Sequence, residues 1–180
     1  MHTTDATLAL GQALQLYFQG EKTEALVFIL PLGLLSLVFG CWLVADQPVS
    51  FTRGVAIPFI VMGLLMTVVG GIVGFRTPGQ EHNVEQAVQR STQAAARAEL
   101  ERMDKVNRAW PAYLAVWGLF GVVGLALRFA TSADFTRGLG IALVFFAGVG
   151  LLVDGFAERR THPYMAALKS AASPAQQDGK

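Results

Sequence analysis

The sequence alternates between long runs of apolar residues and shorter polar segments. Four apolar runs cover residues 25–45, 54–75, 109–127 and 138–156, and the only charged residue inside them is Asp154, near the end of the fourth. A helix needs about 20 mostly apolar residues to cross a hydrocarbon core about 30 Å thick, because each residue rises about 1.5 Å. The pattern predicts an all-α, polytopic membrane protein with four transmembrane helices.

The segment before the first run has the periodicity of an amphipathic helix. Apolar side chains recur at intervals of three and four residues, and glutamines lie on the opposite side; the apolar positions are Leu10, Ala13, Leu14, Tyr17 and Phe18. This pattern is typical of a helix that lies in the membrane interface. We predict an amphipathic helix over residues 1–24, flat on the membrane surface.

The polar segment between the second and third runs, residues 78–108, predicts one long helix from about Gln80 to Arg108. It is rich in Ala, Glu, Gln and Arg and contains neither Pro nor Gly beyond residue 79. Three acid–base pairs have the helical spacing of supporting ion pairs, namely Glu99–Arg102, Glu101–Lys105 and Asp104–Arg108. A thin apolar stripe on this helix has two interpretations, packing onto the bundle or binding another protein.

The second and fourth runs begin with the same four residues. Residues 51–54 and 135–138 both read Phe-Thr-Arg-Gly, an offset of 84 (135 − 51), and the same offset aligns Arg76-Thr77 with Arg160-Thr161. We interpret residues 25–77 and 109–161 as two duplicated helical hairpins. Because an even number of spans separates them, they are parallel repeats about an axis along the membrane normal. A plain bundle and a carrier both fit this symmetry.

Lysine and arginine are distributed unequally about the four spans. With four crossings, the amino end, the loop from Arg76 to Arg108 and the tail after the fourth run, including Arg159 and Arg160, share one side. That side has eleven of the 14 cations; the other three are Arg53, Arg128 and Arg137. Positive residues near helix ends resist translocation. We predict a multi-pass protein of the bacterial inner membrane with both termini in the cytoplasm. The last ten residues of the tail are predicted to be disordered.

Small residues line the predicted spans at helical intervals. The second, third and fourth spans each have glycines spaced so that neighbouring backbones can approach closely, and these are Gly63, Gly70, Gly71, Gly74, Gly118, Gly121, Gly124 and Gly148. We expect them to form helix-packing seams within the chain. A homo-oligomer is the alternative.

Charged residues at the span ends are the candidates for interaction. Each Phe-Thr-Arg-Gly motif places an arginine in the first helical turn, where the helix dipole disfavours a cation. We expect Arg53 and Arg137 either to reach lipid phosphates, with Asp46 and Asp134 as counter-charges, or to recognise a protein or an anion. For Asp154, followed by Glu158 and Arg159, we expect wetting or an ion pair with an arginine, and a proton relay is the alternative.

The sequence lacks the patterns of known catalytic and metal sites. Its three histidines are scattered and it has a single cysteine, so we predict no metal site, no cofactor and no catalytic residue. A net charge of +1 indicates no nucleic-acid partner. An enzyme is not expected.

Three stretches resemble a widespread group of small four-pass bacterial proteins. They are FTRGVAIPFIVMG at residues 51–63, ELERMDKVNRAWPAY at 99–113 and LLVDGFAERRTHPY at 151–164, and the likeness covers most of residues 25–164. The group has no assigned activity. The resemblance therefore implies topology and bacterial origin, and no mechanism.

Three functions stay open. Small multi-pass proteins without catalytic residues often act by binding, and the first hypothesis is an immunity protein that neutralises an exported toxin at the inner membrane. The second is a small carrier or channel that uses the interface between the two repeats. The third is a structural or assembly subunit of a membrane complex. The partners expected are the lipid bilayer and either a toxin or a complex subunit.

Overall fold

All elements that the structure describes are helical. The computed structural model describes residues 2–46 and 49–173, with side chains from Thr7 onward. Its elements are α1 (His2–Thr23), a π-helical segment (Glu24–Ile29), α2 (Leu30–Asp46), α3 (Ser50–Arg90), α4 (Thr92–Phe129) and α5 (Asp134–Ala172). Four continuous helices are long and apolar enough to cross a membrane, namely Thr7–Asp46, Ser50–Arg90, Thr92–Phe129 and Asp134–Ala172. The prediction of an all-α chain with four such helices is confirmed.

The first helix runs without a break from α1 through the π segment into α2. Pro31 lies in this path, and its ring would collide with the carbonyl group four residues earlier in a regular α-helix. The wider π turn directly before it, closed by the Leu30 N–H donating to the Ala25 carbonyl oxygen, relieves that collision. A proline therefore widens the helix here without ending it.

The apolar face of α1 packs inside the protein, so the prediction that it lies flat on the membrane was wrong. Leu10, Leu14 and Phe18 are at most 1% exposed and form one cluster with Met103 of α4 and Tyr164 of α5. The amphipathic pattern was read correctly, but helices of the same chain cover the apolar face in place of lipid. Periodicity identifies a face and does not identify what covers it.

The segment between the second and third spans is two helices, and the prediction of one helix from Gln80 to Arg108 was wrong at Ser91. Ser91 has an extended backbone (φ −161°, ψ 102°), and its hydroxyl accepts a hydrogen bond from the Ala94 N–H at the start of α4. Serine is a strong N-cap because its oxygen satisfies a free N–H of the first turn. The chain therefore turns back at Ser91, and each half continues a span.

Beyond the apolar spans, α1 and the matching ends of α3, α4 and α5 form a second packed region, here called the terminal bundle (residues 7–23, 76–90, 92–108 and 157–172). Of the largest fully buried side chains among the described residues, only Phe146 belongs to an apolar span. The spans instead expose large side chains such as Val122 and Leu152. Lipid tails solvate such side chains, whereas the terminal bundle buries its own as a water-soluble helical bundle does.

Inside the apolar region the main contacts join α2 to α3, α3 to α5 and α5 to α4. The two central helices cross at glycines, since a β-carbon on Gly54 would collide with the carbonyl oxygen of Phe135, and one on Gly138 would collide with that of Phe51. The two contacts are reciprocal under the offset of 84, because Gly138 is the equivalent of Gly54 (54 + 84) and Phe135 is the equivalent of Phe51 (51 + 84). Gly40 against Ala56 and Ile60, and Gly124 against Gly140 and Val144, are a second such pair.

Only some of the predicted glycine seams lie at helix contacts. Gly63 and Gly70 of α3 lie against the backbone of α2 and the π segment, Gly74 lies against Leu26, Gly121 against Ala147 and Gly124 against α5. Gly71, Gly118 and Gly148 have nothing within 4 Å of a β-carbon position, so they do not form packing seams within the chain. Their spacing matched the pattern, but each lies on a side of its helix that no neighbour covers.

The fourth helix continues past its apolar span. Helix α5 extends to Ala172, through Pro163, and supplies Tyr164, Met165 and Leu168 to the terminal bundle. The disorder predicted for the last ten residues falls mainly on residues 174–180, which lie outside the described residues.

Candidate functional site

A cavity of about 150 Å³ lies where the first hairpin meets the second. It is partly enclosed by side chains of the π segment and α3 on one side and of α4 and α5 on the other. Its wall is apolar except for Trp117 and Asp154; the main apolar contributors are Ile29, Met62, Met66, Val69, Phe146 and Val153. Asp154, the single charged residue of the four apolar runs, therefore lines a cavity between helices.

Asp154 is held by tryptophan, not by arginine. The indole Nε1–H of Trp117 donates a hydrogen bond to Asp154 Oδ2 over 2.6 Å. Among the ion pairs of the described residues none includes Asp154, and Arg160, six residues later, is paired with Glu24. Of the two expectations for Asp154, wetting and an ion pair with an arginine, the described residues do not show the ion pair, since the next turn of α5 directs Arg160 to a different partner. A single neutral donor orients the carboxylate.

Beside the cavity, a large and a small residue have changed places between the hairpins. In the first hairpin Gly33 lies directly against the backbone of Met66 and Thr67, so α2 and α3 approach closely. At the positions 84 residues later, Trp117 (33 + 84) lies against Gly150 (66 + 84). A tryptophan needs more room than a glycine, and Gly150 makes that room on α5. Trp117 and Gly150 both line the cavity.

A polar layer lies at the end of the terminal bundle that is nearer the cavity. Arg160 passes over Gly20 and lies 5.8 Å from the centre of the Tyr17 ring, and its Nη1 donates to Glu24 Oε2 over 2.6 Å. Both side chains are mostly buried, at 20% and 13% exposure. Glu24 is the first residue of the π segment and Ile29, its last, lines the cavity. The layer and the cavity are joined by one turn of helix.

A second buried network ties α4 to α5 inside the terminal bundle. Arg102 donates to both carboxylate oxygens of Glu99, at 2.9 and 2.6 Å, and the Tyr164 hydroxyl donates to Glu99 Oε1 over 3.0 Å. The predicted pair of Glu99 with Arg102 is confirmed, as is the exposed pair of Glu101 with Lys105. Glu99 is only 6% exposed, which the charge spacing alone did not indicate.

Burial, together with the neighbouring Glu99 carboxylate, raises the pKa of the Tyr164 phenol well above its ordinary value of 10.0. Below pH 10.0, the ordinary pKa, the phenol is protonated in both the folded and the unfolded chain. Above it the unfolded chain loses the proton and the folded chain keeps it, so deprotonation favours unfolding.

We expect the free energy of unfolding to fall as the pH rises above 10, by up to about 1.4 kcal/mol per pH unit for this one group. Tyr164→Phe should make the fall shallower, as measured by unfolding in detergent at pH 9 to 11. The exposed Tyr113, replaced in the same way, is the matched control. A Tyr164→Phe variant with the full alkaline slope of the parent would contradict the assignment.

At the opposite end of the spans, two of the charged candidates, Arg137 and Asp134, lie close together. Arg137 donates from Nε to the Thr131 carbonyl oxygen over 3.0 Å and lies 3.9 Å from Asp134. Arg53, Asp46 and Asp134 are exposed. At the other end of α5, Arg159 is exposed and Glu158 is partly exposed, and neither lines the cavity.

The site residues that sequence reasoning missed are Trp117, Gly150 and Glu24; for Glu99 it predicted the partner but not the burial. The offset of 84 could have pointed to the first two, because it places Trp117 on a glycine and Gly150 on a methionine. Among the described residues no group of three His, Cys, Asp or Glu side chains could hold a metal ion. Comparison of the chain with protein-family models, with curated proteins and with solved structures gave no match.

Proposed function

We propose that this chain is a non-enzymatic membrane protein that binds a small ligand in the cavity between its two hairpins, as a small carrier would. The observation that carries the proposal is the position of Asp154, which lies in an apolar cavity formed by both hairpins. Ionisable residues within spans are costly and mark substrate paths. Ligand sites are concave and mostly apolar, with a few polar groups that orient the ligand.

We also propose that the hairpins are parallel repeats about an axis between α3 and α5. The reciprocal contacts of Gly54 with Phe135 and of Gly138 with Phe51 support this relation. The distribution of cations supports an orientation in the bacterial inner membrane with the terminal bundle in the cytoplasm. In such an arrangement the cavity lies close to the cytoplasmic boundary of the bilayer.

The binding proposal is tested by nuclear magnetic resonance of the protein in lipid nanodiscs. The chain has three tryptophans, and Trp117→Phe assigns one indole N–H signal. Benzyl alcohol, as a small aromatic probe, should move the Trp117 signal saturably and leave those of Trp42 and Trp110 in place.

Two substitutions sharpen this test. Val153→Phe fills the cavity and should abolish the shift, whereas Val122→Phe, on an exposed side of α4, should preserve it. An unmoved Trp117 signal in the parent protein would overturn the proposal. So would an undiminished shift in Val153→Phe.

A second candidate is protein binding at the opposite end of the spans, as in the immunity hypothesis. The exposed Arg53 and Asp134, with Arg137 nearby, favour it because the contact between Gly54 and Phe135 brings the two motifs together. Co-expression with a neighbouring toxin gene tests it. Cells that die equally with and without this protein would remove the hypothesis.

A further inference from the structure

We infer that the ligand of the cavity is a small organic cation with an aromatic or branched apolar group, its charge held between the Asp154 carboxylate and the Trp117 ring. This inference rests on the proposed function and names the class of ligand. It combines three independent observations, namely the missing counter-charge of Asp154, the chemistry of the cavity wall and the difference between the two hairpins.

The first observation concerns charge. Within the described part of the chain Asp154 receives one hydrogen bond, from the neutral Trp117, and takes part in no ion pair. Arg160 is paired with Glu24 at 2.6 Å, and Arg159 is exposed and does not line the cavity. A carboxylate in apolar surroundings either becomes neutral or is stabilised by a cation beside it. The cavity beside Asp154 has room for such a cation.

The second observation concerns the kind of cation. Metal ions such as Mg²⁺ and Ca²⁺ need six or more oxygen ligands, and this wall offers one carboxylate among apolar side chains. An organic cation needs no such shell, because aromatic faces attract it and apolar side chains pack around its carbon groups. The cavity volume of about 150 Å³ is near that of engineered apolar cavities that accept a ring the size of benzene.

The third observation is that the first hairpin supplies apolar side chains to the cavity wall but has neither the carboxylate nor the aromatic ring. The positions equivalent to Trp117, Gly150 and Asp154, at an offset of 84, are Gly33, Met66 and Gly70. Gly33 and Gly70 lie against backbone atoms of the facing helix, so no cavity forms there. The carboxylate and the aromatic ring therefore occur together in the second hairpin and are absent together from the first.

The test compares two probes of the same shape, the cation benzyltrimethylammonium and its neutral isostere neopentylbenzene. Protein in nanodiscs of zwitterionic lipid is titrated with each probe, and the Trp117 indole N–H signal reports binding. The affinity of each probe is calculated from its concentration in the lipid, so that the two probes can be compared. We expect the cation to bind at least tenfold more tightly than the neutral probe. Equal affinities would overturn the inference but leave the proposed function in place, whereas binding of neither probe would overturn both.

Two variants separate the Asp154 charge from other sources of cation affinity. Asp154→Asn removes the charge while its side-chain oxygen can still accept the Trp117 hydrogen bond, and it should abolish the preference for the cation. Asp134→Asn removes an exposed acid at the far end of the same helix and should keep the preference. A preference that survives in Asp154→Asn would overturn the inference. The comparison of probes in the parent protein decides the matter even where Asp154→Asn does not fold.

Discussion

Arg102→Met is expected to lower the free energy of unfolding by about 2–3 kcal/mol. This is less than the full cost of breaking a buried ion pair, because Arg102 is itself partly exposed. Methionine keeps much of the apolar stem but removes both hydrogen bonds to Glu99. Glu99 remains buried with a negative charge and only the Tyr164 hydroxyl as donor. Reversible unfolding of the detergent-solubilised protein measures the loss.

The matched control for Arg102→Met is Lys105→Met, three residues later on the same helix. Lys105 pairs with Glu101 at 3.0 Å, but both side chains are about three-quarters exposed, at 74% and 75%. Water already solvates such charges, so the pair contributes little and its removal should change stability slightly. Similar losses in the two variants would show that burial of Glu99 does not set the energy of this network.

Gly54→Ala and Gly138→Ala are each expected to destabilise the protein by about 1–3 kcal/mol, the usual cost of extra volume in a packed contact. A methyl group at either position meets a backbone carbonyl oxygen of the facing helix. A backbone group cannot rotate away as a flexible side chain can, so α3 and α5 must separate. Because the two contacts are equivalent under the offset of 84, we expect losses of similar size.

Gly118→Ala is the control for these two substitutions. Nothing lies within 4 Å of a β-carbon at Gly118, and alanine is favoured over glycine in a helix by about 1 kcal/mol. This variant should therefore be as stable as the parent or slightly more stable. Thermal unfolding in one detergent compares all three variants. A neutral Gly54→Ala beside a destabilising Gly118→Ala would contradict the helix contacts described above.

Much of the architecture could be predicted from local pattern. The four apolar runs became four long helices, because a stretch of that length without charges is stable in lipid only as a helix. The pair of Glu99 with Arg102 also followed from spacing, since residues three apart share a helix face. These features depend on residues near one another in the chain.

The errors arose where the outcome depends on contacts between distant residues. Periodicity marked the apolar face of α1, but it could not show what covers that face. Tyr164 and Met103, which are distant in the chain, pack against it, so protein and not lipid covers it. The spacing of glycines could not distinguish Gly124, which lies at a contact, from Gly118, which faces open space. Ser91 was overlooked because an N-cap inside a helix-forming composition is a weak local signal.

The candidate site shows the same division. By itself the sequence determined that Asp154 is the single acid in an apolar run, because composition alone decides that. Only the tertiary structure decided its partner, since Trp117 is 37 residues away in the chain and reaches Asp154 through the packing of α4 against α5. The length and apolarity of each helix are local properties, whereas a cavity is the space left between helices and depends on all of them at once.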